Sequence, residues 1–313
     1  MVSLKKEIWE GVGILKISNT PYHFMTSDLL RKMDLVLRDW GKRKEVKAII
    51  ICNMHPGYFI THYSLEEILN GGRIVNRHSY LSKPIFASVI WNLMRLINVL
   101  NKGGWVGKSL VSLFEQTNMG NAVVAMNRMN NLYNYLEYMP KPVIAAIGGD
   151  CMGGGLELAL CCDFRIMARS NYKMGLIEIL INTIPGGGGT QRLLKMIGVA
   201  RTKEIVLTGK RIGADEAERL GIVTKAVDED ALMKEALQLA NKLGKTNPNA
   251  IKYAKETILR GQHLPINRAI KSDVLGFLAT IGDQQAMKSC VEYEKDIAKG
   301  KHSKELFEEM DKA

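Results

Sequence analysis

Short apolar runs alternate with amphipathic stretches along most of this chain. Ile8–Ile17 alternates apolar and polar residues, the period of a half-buried strand. Ser27 stands where a helix cap is expected. The helix it predicts runs to Trp40, with Leu29, Leu30, Met33, Val36 and Leu37 on one face. Val46–Cys52, Val143–Ile147 and Asp163–Ala168 are apolar runs of buried-strand type, and helical patterns fall at Leu65–Leu69, Met119–Tyr138 and Leu156–Leu160. Strands and helices in this alternation predict an α/β arrangement with layered sheets. From Glu229 onward helical periodicity dominates, broken at Gly244, Gly261 and Gly282, which divides the chain into 1–228 and a helical region 229–313.

Candidate chemistry concentrates between Ala145 and Leu193. There Gly153-Gly154-Gly155 runs into Leu156-Glu157-Leu158, and Ile177-Glu178-Ile179 is followed by Pro185 and Gly186-Gly187-Gly188-Gly189. Consecutive glycines let backbone approach a ligand closely and adopt positive φ at little cost. Where such a run opens a helix, its unpaired N–H groups favour negative charge. A glutamate in an apolar setting tends to have a raised pKa. Two of them beside anion-holding turns point to acid/base work on a carbonyl compound.

The same residues resemble the crotonase (enoyl-CoA hydratase/isomerase) superfamily. The resemblance is carried by Lys141-Pro142-Val143-Ile144-Ala145-Ala146-Ile147, the glycine run into Glu157, Cys162-Asp163, the stretch from Ile177 to Leu193, and Val206–Ile212 with Gly221-Ile222-Val223. It is loose over 1–70, close over 139–228, and continues as a helical tail over 229–300. It implies a crotonase-like ββα spiral core with a helical C-terminal region. The implied activity is addition of water to a 2-enoyl-CoA thioester, with no metal and no cofactor beyond the CoA of the substrate. Isomerisation, thioester hydrolysis and C–C cleavage are the other reactions open to such a fold. The resemblance assigns Glu157 to activating the water and Glu178 to exchanging the proton at Cα. It makes the backbone N–H groups of Tyr63 and Gly154 the oxyanion hole and Gly186 the water-orienting group. His62 and Gly153 fall beside the substrate.

Departures mark two places. Phe59-Ile60-Thr61-His62-Tyr63-Ser64-Leu65 carries His62 where the family pattern has glycine, so strain from a positive φ is expected there. Ser64 stands in the place of an Asp and still suits a helix N-cap. The second departure is an apolar insertion over about 70–117, too long for an ordinary loop. It fits an extra helical hairpin, a wall of the acyl pocket, or a membrane-surface contact. Because Trp91, Leu93, Met94, Trp105 and Leu110 follow the oxyanion loop, they are expected to cover the acyl group.

Composition adds little to the fold but bears on partners. The 313 residues are 46% hydrophobic and 24% charged, which suits a protein with a substantial core. The net charge of +11 suits anionic ligands such as CoA phosphates, and Lys295, Lys299 and Lys301 are candidates to meet them. The same charge admits a non-catalytic RNA- or membrane-binding homologue. No basic-aromatic repeat or RNA motif accompanies it, so nucleic acid is not expected as a partner. Self-association as a homotrimer or a dimer of trimers is expected by resemblance. The five cysteines form no metal-ligand spacing and mostly sit in apolar runs, as in a reducing, cytoplasmic-type compartment. No signal-peptide-like run follows Met1.

Overall fold

The structure, a computed structural model, describes residues 1–78 and 83–300. It opens with a hairpin. Strands β1 (Val2–Trp9) and β2 (Val12–Asn19) pair antiparallel around Glu10 and Gly11, both at positive φ. The single strand expected over Ile8–Ile17 is therefore two. Alternation continues through the reversal because both strands share a period of two residues, while the left-handed turn reverses the chain.

Strand β3 (Phe24–Met25) leads into helix α1 (Ser27–Lys42). Thr26, one residue before the expected cap, accepts from the Leu29 N–H at 3.2 Å. Strands β4 (Ala48–Asn53), β5 (Gly57–Ile60) and β6 (His62–Tyr63) precede α2 (Leu65–Arg77), capped by Ser64. Helices α3 (Pro84–Lys102), α4 (Gly104–Glu115) and α5 (Asn118–Tyr138) come next. The chain continues through β7 (Val143–Ile147), β8 (Gly149–Met152), α6 (Gly154–Leu160), β9 (Phe164–Arg169) and β10 (Met174–Gly175). A 3₁₀ turn at Glu178–Ile181, α7 (Gly189–Thr208), α8 (Ala214–Arg219) and β11 (Lys225–Asp228) complete the core sequence. Helices α9 (Leu232–Lys245), α10 (Pro248–Gly261), α11 (Ile266–Ile281) and α12 (Gln284–Ala298) follow.

Six strands form the main sheet in the order β1-β2-β4-β7-β9-β11, parallel beyond the opening hairpin. A second sheet, β10-β8-β5, is parallel throughout, and β3 pairs with β6. A strand of the main sheet, a strand of a smaller one and a helix recur in turn, which is the ββα spiral.

The inner strands β4 and β7 are buried on both faces, which explains why they read as unbroken apolar runs. Ile49, Ile51, Val143 and Ala145 point into a core shared with α1, α5 and α6. Ile50, Ile144 and Ala146 point the other way, onto Leu232, Ala236 and Ala240 of α9. Helix α9, although beyond residue 228, thus packs as part of the core. Helices α10 and α11 pack on one another. Residues 301–313, including Lys301, lie outside the described residues, as do residues 79–82 of the insertion.

The close approach of α6 to the second sheet depends on Gly155. A Cβ there would stand 2.4 Å from the Ile60 carbonyl oxygen and 2.7 Å from Ile60 Cβ, against backbone that cannot yield cheaply. Gly155→Ala is expected to lower stability by about 1–3 kcal/mol. An unchanged urea midpoint would show that the two elements are not packed this tightly.

Candidate active site

Gly153 follows β8 with φ +49°, and a Cβ there would meet Glu178 Oε1 at 2.9 Å. Its carbonyl accepts from the Glu157 N–H at 2.9 Å, which starts α6. Because a trans peptide points its C=O and N–H in opposite directions, the Gly154 N–H is turned away from the body of α6. Within the first turn it has no intrahelical acceptor. Tyr63 is its neighbour: Tyr63 Cβ and Cδ2 lie 3.6 Å from the position a Gly154 Cβ would take.

Glu157 is only 3% exposed. Its Oε1 accepts from the Gly187 N–H at 2.7 Å and the Gly189 N–H at 3.0 Å. Gly189 is the first residue of α7, so the carboxylate caps the positive end of that helix. Burial nevertheless pushes the Glu157 carboxyl up to about 7, against those two donors, and the nearby Glu178 charge adds to the rise. Glu178 opens the 3₁₀ turn and is 6% exposed. Burial raises its pKa too, and its Oε2 has no hydrogen-bond partner among the described residues. Burial thus moves both carboxyls in the same direction, toward the neutral form. At Glu157 the two N–H groups of the helix N-terminus oppose this shift by favouring the charge.

Both glutamates line one cavity of about 720 Å³, together with His62, Tyr63, Gly186 and Gly187. Gly153 and Gly154 lie behind that lining, against Glu178 and Tyr63. Gly186 lines the cavity, whereas the donors to Glu157 are the next glycines, Gly187 and Gly189. His62 is buried, with Nδ1 2.7 Å from the Tyr63 carbonyl oxygen. The strain expected at His62 is absent: it sits in β6 outside the positive-φ region, because pairing with β3 holds this segment extended.

The cavity walls also correct the expectation for the insertion. They come from α2, including Asn70, Arg73, Ile74 and Arg77, and from α5, including Asn121, Met126 and Met129. Trp91, Leu93, Met94, Trp105 and Leu110 do not line it. Helices α3 and α4 instead spend Met94, Ile97 and Val111 on Val123 and Val124 of α5.

Several supporting residues were not singled out by sequence pattern. Tyr133, fully buried, donates to the Gly154 carbonyl at 3.2 Å, and burial keeps its hydroxyl protonated. Arg192 donates to the Gly187 carbonyl at 2.9 Å and to Glu137 at 3.0 Å, bracing the glycine turn from behind. Glu67 accepts from Ser27 Oγ at 2.7 Å, the Ser27 N–H at 3.0 Å and Tyr63 Oη at 2.9 Å. The Ser64-x-x-Glu67 spacing is that of a capping box, in which the glutamate would turn back to the Ser64 N–H. Here it crosses to α1 and ties that helix to the Tyr63 segment.

The raised Glu157 pKa has a cost in stability. Between pH 4.5 and about 7 the folded state holds a proton that the unfolded chain releases, so stability falls as pH rises through this window. Glu157→Gln keeps an oxygen acceptor for both N–H groups without the charge. The variant is expected to be more stable than the parent at about pH 8, by up to about 3 kcal/mol. The gain should shrink toward pH 5. Equal urea midpoints for the two proteins at both pH values would remove the charge-burial account.

The site sits in a chain whose likeness to known proteins is extensive. The enoyl-CoA hydratase/isomerase family model matches residues 107–299. A short-chain-enoyl-CoA hydratase of Clostridium acetobutylicum is 40% identical over 274 residues, covering 87% of this chain and 87% of that protein. A crotonyl-CoA hydratase of Syntrophomonas wolfei is 40% identical over 156 residues, covering 49% of this chain and 60% of that protein. The crystal structure of an enoyl-CoA hydratase from Bacillus anthracis superposes with a TM-score of 0.73 at 25% identity, covering 94% of this chain and 96% of that one. With its ββα spiral and its paired buried glutamates, the chain belongs to the enoyl-CoA hydratase/isomerase family of the crotonase superfamily.

Proposed function

We propose that this enzyme adds water across the double bond of a 2-enoyl-CoA thioester, and that Glu157 and Glu178 carry the proton transfers. The observation that supports this most directly is the pair of buried carboxyls on one cavity, one held at a helix N-terminus and one without a donor. In the proposed sequence, the Glu157 carboxylate takes a proton from water as the water oxygen bonds to Cβ. The π electrons move toward the thioester carbonyl, whose oxygen becomes the enolate oxygen. The N–H groups of Gly154 and Tyr63 receive that charge. Protonated Glu178 then delivers its proton to Cα. Gly186 helps orient the water, His62 lines the cavity beside the thioester, and Gly153 backs that wall. Retention of two carboxyls favours hydration over isomerisation, which needs only one. The names of the relatives support a short acyl chain, and Met126, Met129 and Ile184 supply apolar cover for one.

Glu157→Gln and Glu178→Gln should each lower kcat for crotonyl-CoA by on the order of 10²-fold or more. The double variant should lose less than the product of the two, since both act on one transition state. In the parent, kcat/KM should fall on the acid side with an apparent pKa near 7, because protonating Glu157 removes the base. Loss of the enoyl-thioester absorbance follows all three. Near-parental hydration by either variant would sink the assignment.

Self-association is part of the same reading. Ile258, Leu275, Phe277 and Leu278 on α10 and α11 are exposed in the single chain. By resemblance they are covered in a trimer or a dimer of trimers. Light scattering should report a multiple of three chains, and a monomer at micromolar concentration would contradict it.

A further inference from the structure

We propose that the outer face of the α3–α4 hairpin docks on an anionic membrane surface. The hairpin turns its inner side to α5 and leaves an ordered apolar face outside. On α3, Ile85, Val89, Leu96 and Val99 recur at helical spacing and are all exposed. On α4, Val106, Leu110 and Leu113 repeat the pattern. Beside the α3 stripe run Trp91, Arg95 and Lys102, four and seven residues apart. Trp91 is 57% exposed, and Trp105, at the start of α4, is 81% exposed. A water-facing surface does not call for two tryptophans and seven large aliphatic side chains on thirty residues.

Charge identifies the occupant. Lys83, Arg95, Lys102 and Lys108 are exposed, and none joins an ion pair among the described residues. The single acid between residues 83 and 115 is Glu115, and it faces Arg128 at 3.2 Å. Two copies of this face would oppose like charges, which disfavours a self-interface. An anionic leaflet meets both features. The aliphatic stripes enter the boundary between headgroups and acyl chains, tryptophan sits at headgroup depth, and lysine stems reach the phosphates. No helix among the described residues is long and apolar enough to cross a membrane, and Arg95 interrupts α3 near its middle, so the hairpin lies on the surface. None of residues 83–116 lines the cavity, so docking and hydration are separable.

The test is flotation of the full chain with phosphatidylcholine vesicles, with and without phosphatidylglycerol. Binding is expected to the anionic vesicles and to be much weaker to the neutral ones. Each cation near such a surface contributes about fivefold, so Lys102→Glu with Lys108→Glu should weaken binding by at least about 25-fold. Trp91→Ser with Trp105→Ser should abolish binding while leaving crotonyl-CoA hydration at the parental rate. Both pairs replace exposed residues, and an unchanged melting curve checks the fold. No flotation by the parent, equal binding to neutral vesicles, or parental binding by both variants would overturn the proposal. So would a fall in particle mass in the tryptophan variant without any lipid binding, which would assign the face to a second copy. Hydration that fails in the parent as well bears on the proposed reaction and leaves the flotation result to be read by itself.

Discussion

The contact on which the site depends is a buried carboxylate at a helix end. Glu157 has almost no solvent, and burial alone would strongly favour its neutral form. The N–H groups of Gly187 and Gly189 restore part of the stabilisation that water would give. The two opposing effects leave the group near neutrality, where it can release and accept a proton at little cost. The contact also joins α6 to the start of α7, so the geometry of the site and the packing of two helices are one constraint.

Around this contact stands a second layer whose members come from distant parts of the chain. Arg192 holds the glycine turn that supplies the N–H donors, and Glu137 of α5 holds Arg192. Tyr133, also on α5, fixes Gly154 from behind. Glu67 satisfies an unpaired N–H at the start of α1 while accepting from Tyr63, so α1, α2 and the Tyr63 segment share one anchor. These bonds position backbone donors that have little freedom of their own. They explain how His62 can replace a glycine: β6 pairing keeps the segment extended, and no left-handed residue is required.

The insertion divides its work. Residues 70–77 extend α2 along the cavity, and their side chains are largely polar: Asn70, Arg73 and Arg77 beside Ile74. The following hairpin buries one side on α5 and has no part in the lining. An apolar segment near the Tyr63 loop in sequence therefore lies apart from the cavity in space. Helix α5 separates the two, with its cavity-facing residues on one side and Val123 and Val124 on the other.

Much of this protein is determined locally. The apolar runs of β4 and β7 fix buried parallel strands because nothing polar interrupts them, whereas β9 carries the buried Arg165, whose guanidinium donates to the Ile222, Ala159 and Cys162 carbonyls. The positions of Glu157 and Glu178 follow from glycine turns that no other residue type fits as well. The helices of the insertion and of the C-terminal region follow from their periodicity. Tertiary structure decided the rest, because it concerns partners far apart in sequence. A period-two pattern does not show where a hairpin turns, so β1 and β2 read as one strand. A capping-box spacing cannot reveal that Glu67 finds a better donor set across the fold on Ser27 and Tyr63. Whether an amphipathic helix turns its apolar side to a cavity, a neighbouring helix or the outside is set by what the rest of the chain brings to it. That is why α2 lines the site and the hairpin does not.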